Sequence, residues 1–152
     1  MKYLLPFKIK AVHALIFILF LNFSSCCVFS TDPPDLRLTS QNFPSQVTAG
    51  QRFDLTFTVG NYSNTDCNAE TTSQSIVNLK MIKQSNNFLQ VNNTETLNAL
   101  ENDQTQIFNF SVLIEGENVT GAYNLIFTID PNNTSGDAYR DNNVYTATIT
   151  VN

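Results

Sequence analysis

From Phe53 to Val151 the chain keeps returning to strict alternation of apolar and polar residues. This period of two limits its fold more than any other feature. Successive side chains of an extended strand point to opposite faces, so alternation marks a strand with one face buried and one wet. Phe53, Leu55, Phe57 and Val59 alternate with Asp54, Thr56 and Thr58, and Gly60-Asn61-Tyr62-Ser63-Asn64 ends the run. Val77, Leu79 and Met81 repeat the pattern against Asn78, Lys80 and Ile82. So do Phe108, Phe110, Val112 and Ile114, then Tyr123, Leu125, Phe127 and Ile129, then Tyr145, Ala147, Ile149 and Val151. Leu36 and Leu38 open a shorter strand, and Phe88 to Val91 is another candidate, cut short by Asn92-Asn93.

Turn residues punctuate these runs: Val47-Thr48-Ala49-Gly50-Gln51, Glu115-Gly116-Glu117-Asn118 and Asp130-Pro131. Leu97-Asn98-Ala99-Leu100 has a briefly helical look, but four residues are too few to stand as a helix and fit better as a segment across the end of a sandwich. About seven short strands with no long helical period predict an all-β, immunoglobulin-like two-sheet sandwich. The expected core is Leu36, Phe53, Leu55, Phe57, Val59, Val77, Leu79, Phe108, Phe110, Val112, Leu125, Phe127, Ile129 and Ile149.

The first thirty residues differ. Lys2, Lys8 and Lys10 precede the apolar run Ala14 to Leu21, and small or polar residues follow. That order describes a secretory signal peptide, and even Ala11 to Phe23 is short of the ~20 residues needed to span a bilayer. Two exits compete. Phe23-Ser24-Ser25-Cys26 is a loose lipobox, with Phe23 where an aliphatic residue is preferred, and predicts a signal over 1–25 with lipidation at Cys26. Val28-Phe29-Ser30 instead predicts a signal over 1–30, cut before Thr31. Ser-Cys closing the apolar run favours the first. Residues 26–34 read as a linker that Asp32-Pro33-Pro34 stiffens, and 35–152 as the domain.

From residue 31 on, the chain carries five basic and 13 acidic residues, a net charge of −8. Such a surface repels nucleic acid and anionic membrane, so contact with a membrane is expected only through a lipid anchor. The one histidine, His13, lies in the signal, which removes Ser-His-Asp and Cys-His catalysis and histidine zinc sites from the exported part. No enzyme is expected. Cys67 sits in a polar loop, where it is either a thiol without function or bonded to Cys27 or to another chain.

The connection 130–143 is the sharpest polar feature. Asp130, Asn132, Asp137 and Asp141 offer oxygens of the kind Ca²⁺ takes, without the spacing of an EF-hand. The same residue types close turns by bonding their own backbone, with Gly136 supplying a positive φ, and that explanation is the simpler. No cofactor is therefore expected, with Ca²⁺ the one alternative. Tyr139 and Arg140 are the candidate binding residues. An aromatic in a polar loop has few other uses, except packing over its own hairpin. Asn61, Asn92, Asn109, Asn118, Asn132 and Asn133 each begin a formal glycosylation sequon, but a chain this rich in Asn, Ser and Thr produces several by composition alone.

Four segments together resemble the CARDB family, the cell adhesion related domain found in bacteria. They are Asp35-Leu36-Arg37-Leu38-Thr39, Thr48 to Asn61, Leu97 to Ile114, and Gly121-Ala122-Tyr123 through Asp130-Pro131 and Asp141-Asn142-Asn143 to Val151. The resemblance covers roughly 35–151 and implies an immunoglobulin-like fold with an extracellular binding or spacer role. The resulting expectation is a non-enzymatic binding or adhesion module, a small lipoprotein of the cell envelope or a secreted domain, whose partner is a protein or glycan at the cell surface. The competing expectation is an accessory subunit or spacer of a larger envelope assembly, with no ligand of its own.

Overall fold

A computed structural model describes residues 30–152, of which Thr31–Asn152 form one compact unit. The leader, both cleavage sites, Cys26 and Cys27 lie outside the described residues. No helix among the described residues is long and apolar enough to cross a membrane.

Eight strands build two sheets: β1 (Asp35–Asn42), β2 (Gln46–Val47), β3 (Arg52–Tyr62), β4 (Ser75–Lys83), β5 (Leu89–Leu97), β6 (Thr105–Leu113), β7 (Gly121–Ile129) and β8 (Val144–Val151). One sheet has the order β1-β3-β6 and the other β2-β8-β7-β4-β5. All pairings are antiparallel except β2 with β8. The all-β sandwich expected from alternation is therefore present, with one strand more than expected.

The core lies between the sheets. Thirteen of the fourteen expected core residues are buried, and Phe53 is partly buried against them. At the centre, Phe57 of β3 stacks on Phe127 of β7 with ring centroids 4.2 Å apart and planes 5° from parallel. Phe110 meets both rings edge-on at 6.2 and 6.3 Å. This is inter-sheet packing of the kind that dominates sandwich cores.

Three local expectations are corrected. Residues 47–51 are not only a turn: Gln46–Val47 forms a short parallel strand, which lets the chain pass from the β1 sheet to the β8 sheet. β1 runs on past Leu38 to Asn42. Asn92-Asn93 do not break β5, which continues to Leu97. β5 hides its strand character because it lies at the edge of the five-stranded sheet: Asn93 and Glu95 pair with the buried Leu79 and Val77, yet are themselves exposed. Leu97–Leu100 forms no helix, in keeping with its short length. Leu97 ends β5, and Leu100 is fixed by exchanging backbone and side-chain hydrogen bonds with Thr72, the backbone bond being 3.0 Å and the Thr72 Oγ1 bond 2.8 Å.

Alternation marks Tyr123 only as a strand residue. It is fully buried at the start of β7, and its hydroxyl donates to the Val119 carbonyl at 2.7 Å. That is the tyrosine corner of immunoglobulin-like sandwiches. Burial raises its pKa, so it stays a neutral donor.

Candidate binding end

The end of the sandwich that carries the connection 130–143 also carries the starts of β1, β4, β6 and β8 and the ends of β3, β5 and β7. Its connections are tied to one another by buried polar groups. Asn61, with no exposure, accepts from the Asp35 amide at 3.1 Å and donates to the carbonyls of Glu70 at 2.8 Å and Leu100 at 3.0 Å. Asp35 is 2% exposed; one carboxylate oxygen accepts from Asn64 Nδ2 and the other from Asn142 Nδ2. The sequon at Asn61 is thus spent inside the fold.

Residues 31–34, expected to be linker, are docked here. Asp32 pairs through its backbone with Asn68 and Glu70, and the Pro34 carbonyl accepts from the Ala138 amide at 3.0 Å. The Asp32 carboxylate accepts from the Ser63 hydroxyl and from the amides of Asn64 and Thr65. These bonds, led by those from Ser63 and Thr65, hold its pKa below the usual carboxylate value. Cys67 lies in the same stretch and is disulfide-bonded, which removes the reading of a thiol without function. The chain's other cysteines, Cys26 and Cys27, lie outside the described residues.

Within 130–143 the candidate residues divide into two groups. Asp130 and Asp137 turn inward. Asp130 has no exposure, and its carboxylate takes four bonds, from the amide and hydroxyl of Thr134 and of Ser135. Burial on its own would raise the pKa; the four donors outweigh it and lower it. Asp137 accepts from the Tyr139 amide on one oxygen and from Asn143 Nδ2 on the other. Asn132 and Asp141 point into solvent. The four calcium candidates are therefore divided between the interior and solvent, and among the described residues no three His, Cys, Asp or Glu side chains are placed to hold a metal.

Tyr139 and Arg140 stand together where the loop enters a 3-10 turn at Arg140–Asn142. Tyr139 is 42% exposed, among the most exposed large apolar side chains described. With Ala138, Asp141 and Asn142 the pair lines an open depression of about 480 Å³. Arg140 Nη2 donates to the Asp130 carbonyl at 3.0 Å, whereas Nη1 is buried without a partner. Asn143 Oδ1 and Ser75 Oγ, at the same end, are also buried and unpaired. Arg37 and Tyr62 form an aromatic–cation pair at this end, with the guanidinium 4.6 Å from the ring centroid. Gly60 permits it: the Tyr62 ring lies where a Cβ on Gly60 would sit, opposite Arg37 in the ladder. The sequence signal for this pair was the Arg37/Gly60-Asn61-Tyr62 combination, but the register that joins them was not legible.

No family model and no curated protein sequence matches the chain. Solved structures do. The crystal structure of a CARDB domain from Pyrococcus furiosus, described in complex with di-metal ions, superposes with a TM-score of 0.60 at 19% identity, covering 86% of this chain and 98% of that one. A solution structure of one domain of a candidate cell-surface protein from Methanosarcina acetivorans gives a TM-score of 0.54 at 22% identity, covering 79% and 93%. A beta-glucosidase from Listeria innocua matches with a TM-score of 0.51 at 12% identity, over 78% of this chain but 16% of the enzyme. At these identities the likeness concerns fold: this chain has a CARDB-like sandwich fold, as its sequence pattern suggested.

Proposed function

We propose that this protein is a non-enzymatic module working outside the cytosol, which binds a cell-surface protein or glycan through Tyr139 and Arg140. The observation that carries this is the contrast within one loop. Asp130 and Asp137 are consumed by internal bonds, whereas Tyr139 presents an exposed ring beside the half-buried Arg140. Tyrosine and arginine are among the residue types enriched where binding energy concentrates at recognition surfaces. On a surface of net charge −8, Arg140 selects for a ligand with a carboxylate or carbonyl acceptor. The disulfide at Cys67 supports an oxidising compartment, and the CARDB-like neighbours, one from a candidate cell-surface protein, support the same placement.

The test is retention on envelope glycans and on envelope proteins, compared for the natural chain, Tyr139→Ala and Arg140→Ala. Both variants should lose most of the retention; Tyr139→Ala should melt near the natural chain, whereas Arg140→Ala should melt somewhat lower through the lost bond to the Asp130 carbonyl. Undiminished retention overturns the assignment of the site. A natural chain that ignores glycans and purifies instead in fixed stoichiometry with one envelope protein supports the accessory-subunit reading.

Lipid anchoring at Cys26 is the finer part of the proposal. An acyl thioether there leaves Cys27 as the remaining thiol in this chain for Cys67. Intact mass and non-reducing peptide mapping of the exported protein should show an acylated Cys26 and a Cys27–Cys67 bridge. A Cys26–Cys67 bridge, or a chain starting at Thr31, overturns it.

A further inference from the structure

Two peptide bonds among the described residues join an aspartate to a proline, Asp32–Pro33 and Asp130–Pro131. Such a bond is open to attack by its own side chain. The carboxylate closes a five-membered ring on the backbone carbonyl carbon, and the proline nitrogen, being more basic than an ordinary amide nitrogen, leaves more readily. The fold treats the two bonds differently.

A residue that precedes proline favours extended backbone, with φ of about −120°. Asp130 instead has φ 43°, in the left-handed region, so its backbone is strained. Its carbonyl oxygen accepts from two donors, the Asn133 amide at 3.1 Å and Arg140 Nη2 at 3.0 Å. Two donors at that distance, one of them cationic, match an oxyanion hole. The donors on the side chain keep the carboxylate ionised. Those on Oδ1 come from the exposed Thr134 and those on Oδ2 from the buried Ser135. Pro131 is exposed, so a proton from water can reach its nitrogen. The charged groups bonded into this network are Arg140 and, through Ser135, Asp137; β4 meets Asp130 with the uncharged Ile76 carbonyl. Asp32 has none of the strain: it is not among the described residues with positive φ, and its carbonyl accepts from the neutral Glu70 amide at 2.8 Å.

We propose that this chain cleaves itself at Asp130–Pro131. Asp130 Oδ1 attacks the Asp130 carbonyl carbon, and negative charge moves onto the carbonyl oxygen between Arg140 Nη2 and the Asn133 amide. The C–N bond to Pro131 then breaks, and a solvent proton goes to the proline nitrogen. This step leaves a cyclic anhydride at Asp130 and a new N-terminal proline. One water opens the anhydride, and Asp130 becomes a C-terminal residue with two free carboxyl groups. No other reactant is consumed. Ring closure costs Oδ1 its two bonds from Thr134, so the reaction is slow, and each chain performs it once. The cut falls between β7 and β8, whose eight-pair ladder holds the two fragments together.

The test is the mass of the full exported chain, reduced after incubation for days, either folded or unfolded in urea. The folded chain should divide at Asp130–Pro131 at least about tenfold faster than at Asp32–Pro33, since one oxyanion donor is worth that or more. In heavy-oxygen water the new Asp130 terminus should carry the label. Cutting should speed up from about pH 7 to about pH 5, where the leaving nitrogen gains its proton and the carboxylate is still ionised. In urea the two bonds should be cut at similar rates, and Asp130–Pro131 more slowly than in the fold. Arg140→Gln should slow cutting of the folded chain by at least about tenfold and leave the rate in urea unchanged, which separates its action on the carbonyl from a change in the bond itself. Pro131→Ala, at an exposed position, should keep the fold and nearly abolish the cut. A folded chain that stays whole at Asp130–Pro131, or is cut there no faster than at Asp32–Pro33, overturns the proposal. So does Arg140→Gln that is cut at the natural rate.

Discussion

The middle of this sandwich and its loop end are both buried, but they are built by different means. In the middle, Phe57, Phe108, Phe110 and Phe127 exclude water through contact alone, with Phe57 and Phe127 stacked across the two sheets. At the loop end, Asn61, Asp35, Asp130 and Asp137 are buried as deeply, and each is matched by hydrogen bonds. Apolar burial asks only that a residue face inward, so it belongs to a position in the strand. Polar burial asks for a partner of the right geometry, so it belongs to a pair.

The two constructions should fail differently. Phe127→Ala removes the ring that Phe57 stacks on and leaves a cavity between the sheets; it should cost about 4 kcal/mol, near the middle of the range for large aromatic truncations. Urea unfolding should show a lower midpoint at an unchanged slope. Asn61→Ala removes less volume but leaves the Asp35 amide and the carbonyls of Glu70 and Leu100 without their side-chain partner. It should cost about 3 kcal/mol, because the Asp35 amide and the Glu70 carbonyl each bear a desolvation penalty, while the Leu100 carbonyl keeps the Thr72 amide. Hydrogen exchange separates the two variants. Asn61→Ala should speed exchange around Asp35 and Leu100 far more than in β3 and β7, whereas Phe127→Ala should loosen both sheets together. Uniform loosening by Asn61→Ala would remove the distinction.

The same contrast explains what the sequence made legible. Alternation exposed β3, β4, β6, β7 and β8, because each has a core on one side only. It failed at β5, whose inward Asn93 and Glu95 lie at the sheet edge and remain wet. The loop 130–143 was legible as polar and turn-rich. That Asp130 and Asp137 face in while Asn132 and Asp141 face out was not, since all four are the same kind of residue. The Asp35–Asn142 bond joins residues 107 positions apart, and only the assembled topology brings them together.

Acid tests the polar end alone. The Asp130 pKa is lowered in the fold, and so is that of Asp32. A depressed carboxylate stabilises the folded state above its unfolded pKa of about 3.9, and that stability is lost as pH falls through the lower folded value. Asp130→Asn keeps the shape but weakens the bonds from Thr134 and Ser135, and should cost about 2 kcal/mol at neutral pH, the scale of hydrogen bonds to a charged group. Its melting temperature should then fall less steeply than that of the natural chain below about pH 4. Parallel curves would show that Asp130 does not carry the acid sensitivity.

The smallest expected effect concerns calcium. A cation at 130–143 would have to displace the four donors on Asp130, or the Tyr139 amide and Asn143 Nδ2 on Asp137, with the Arg140 guanidinium already on the Asp130 carbonyl. Those donors already do for the carboxylates what a cation would do, so the exchange gains little. After chelation, millimolar Ca²⁺ should move the melting temperature by less than about 1 °C, whereas a site filled to a hundred times its dissociation constant would add about 2.7 kcal/mol and several degrees. A rise of that size that vanishes in Asp130→Asn would mean the loop reorganises around the ion. The polar end would then be a ligand site, rather than a set of carboxylates satisfied by donors of their own chain.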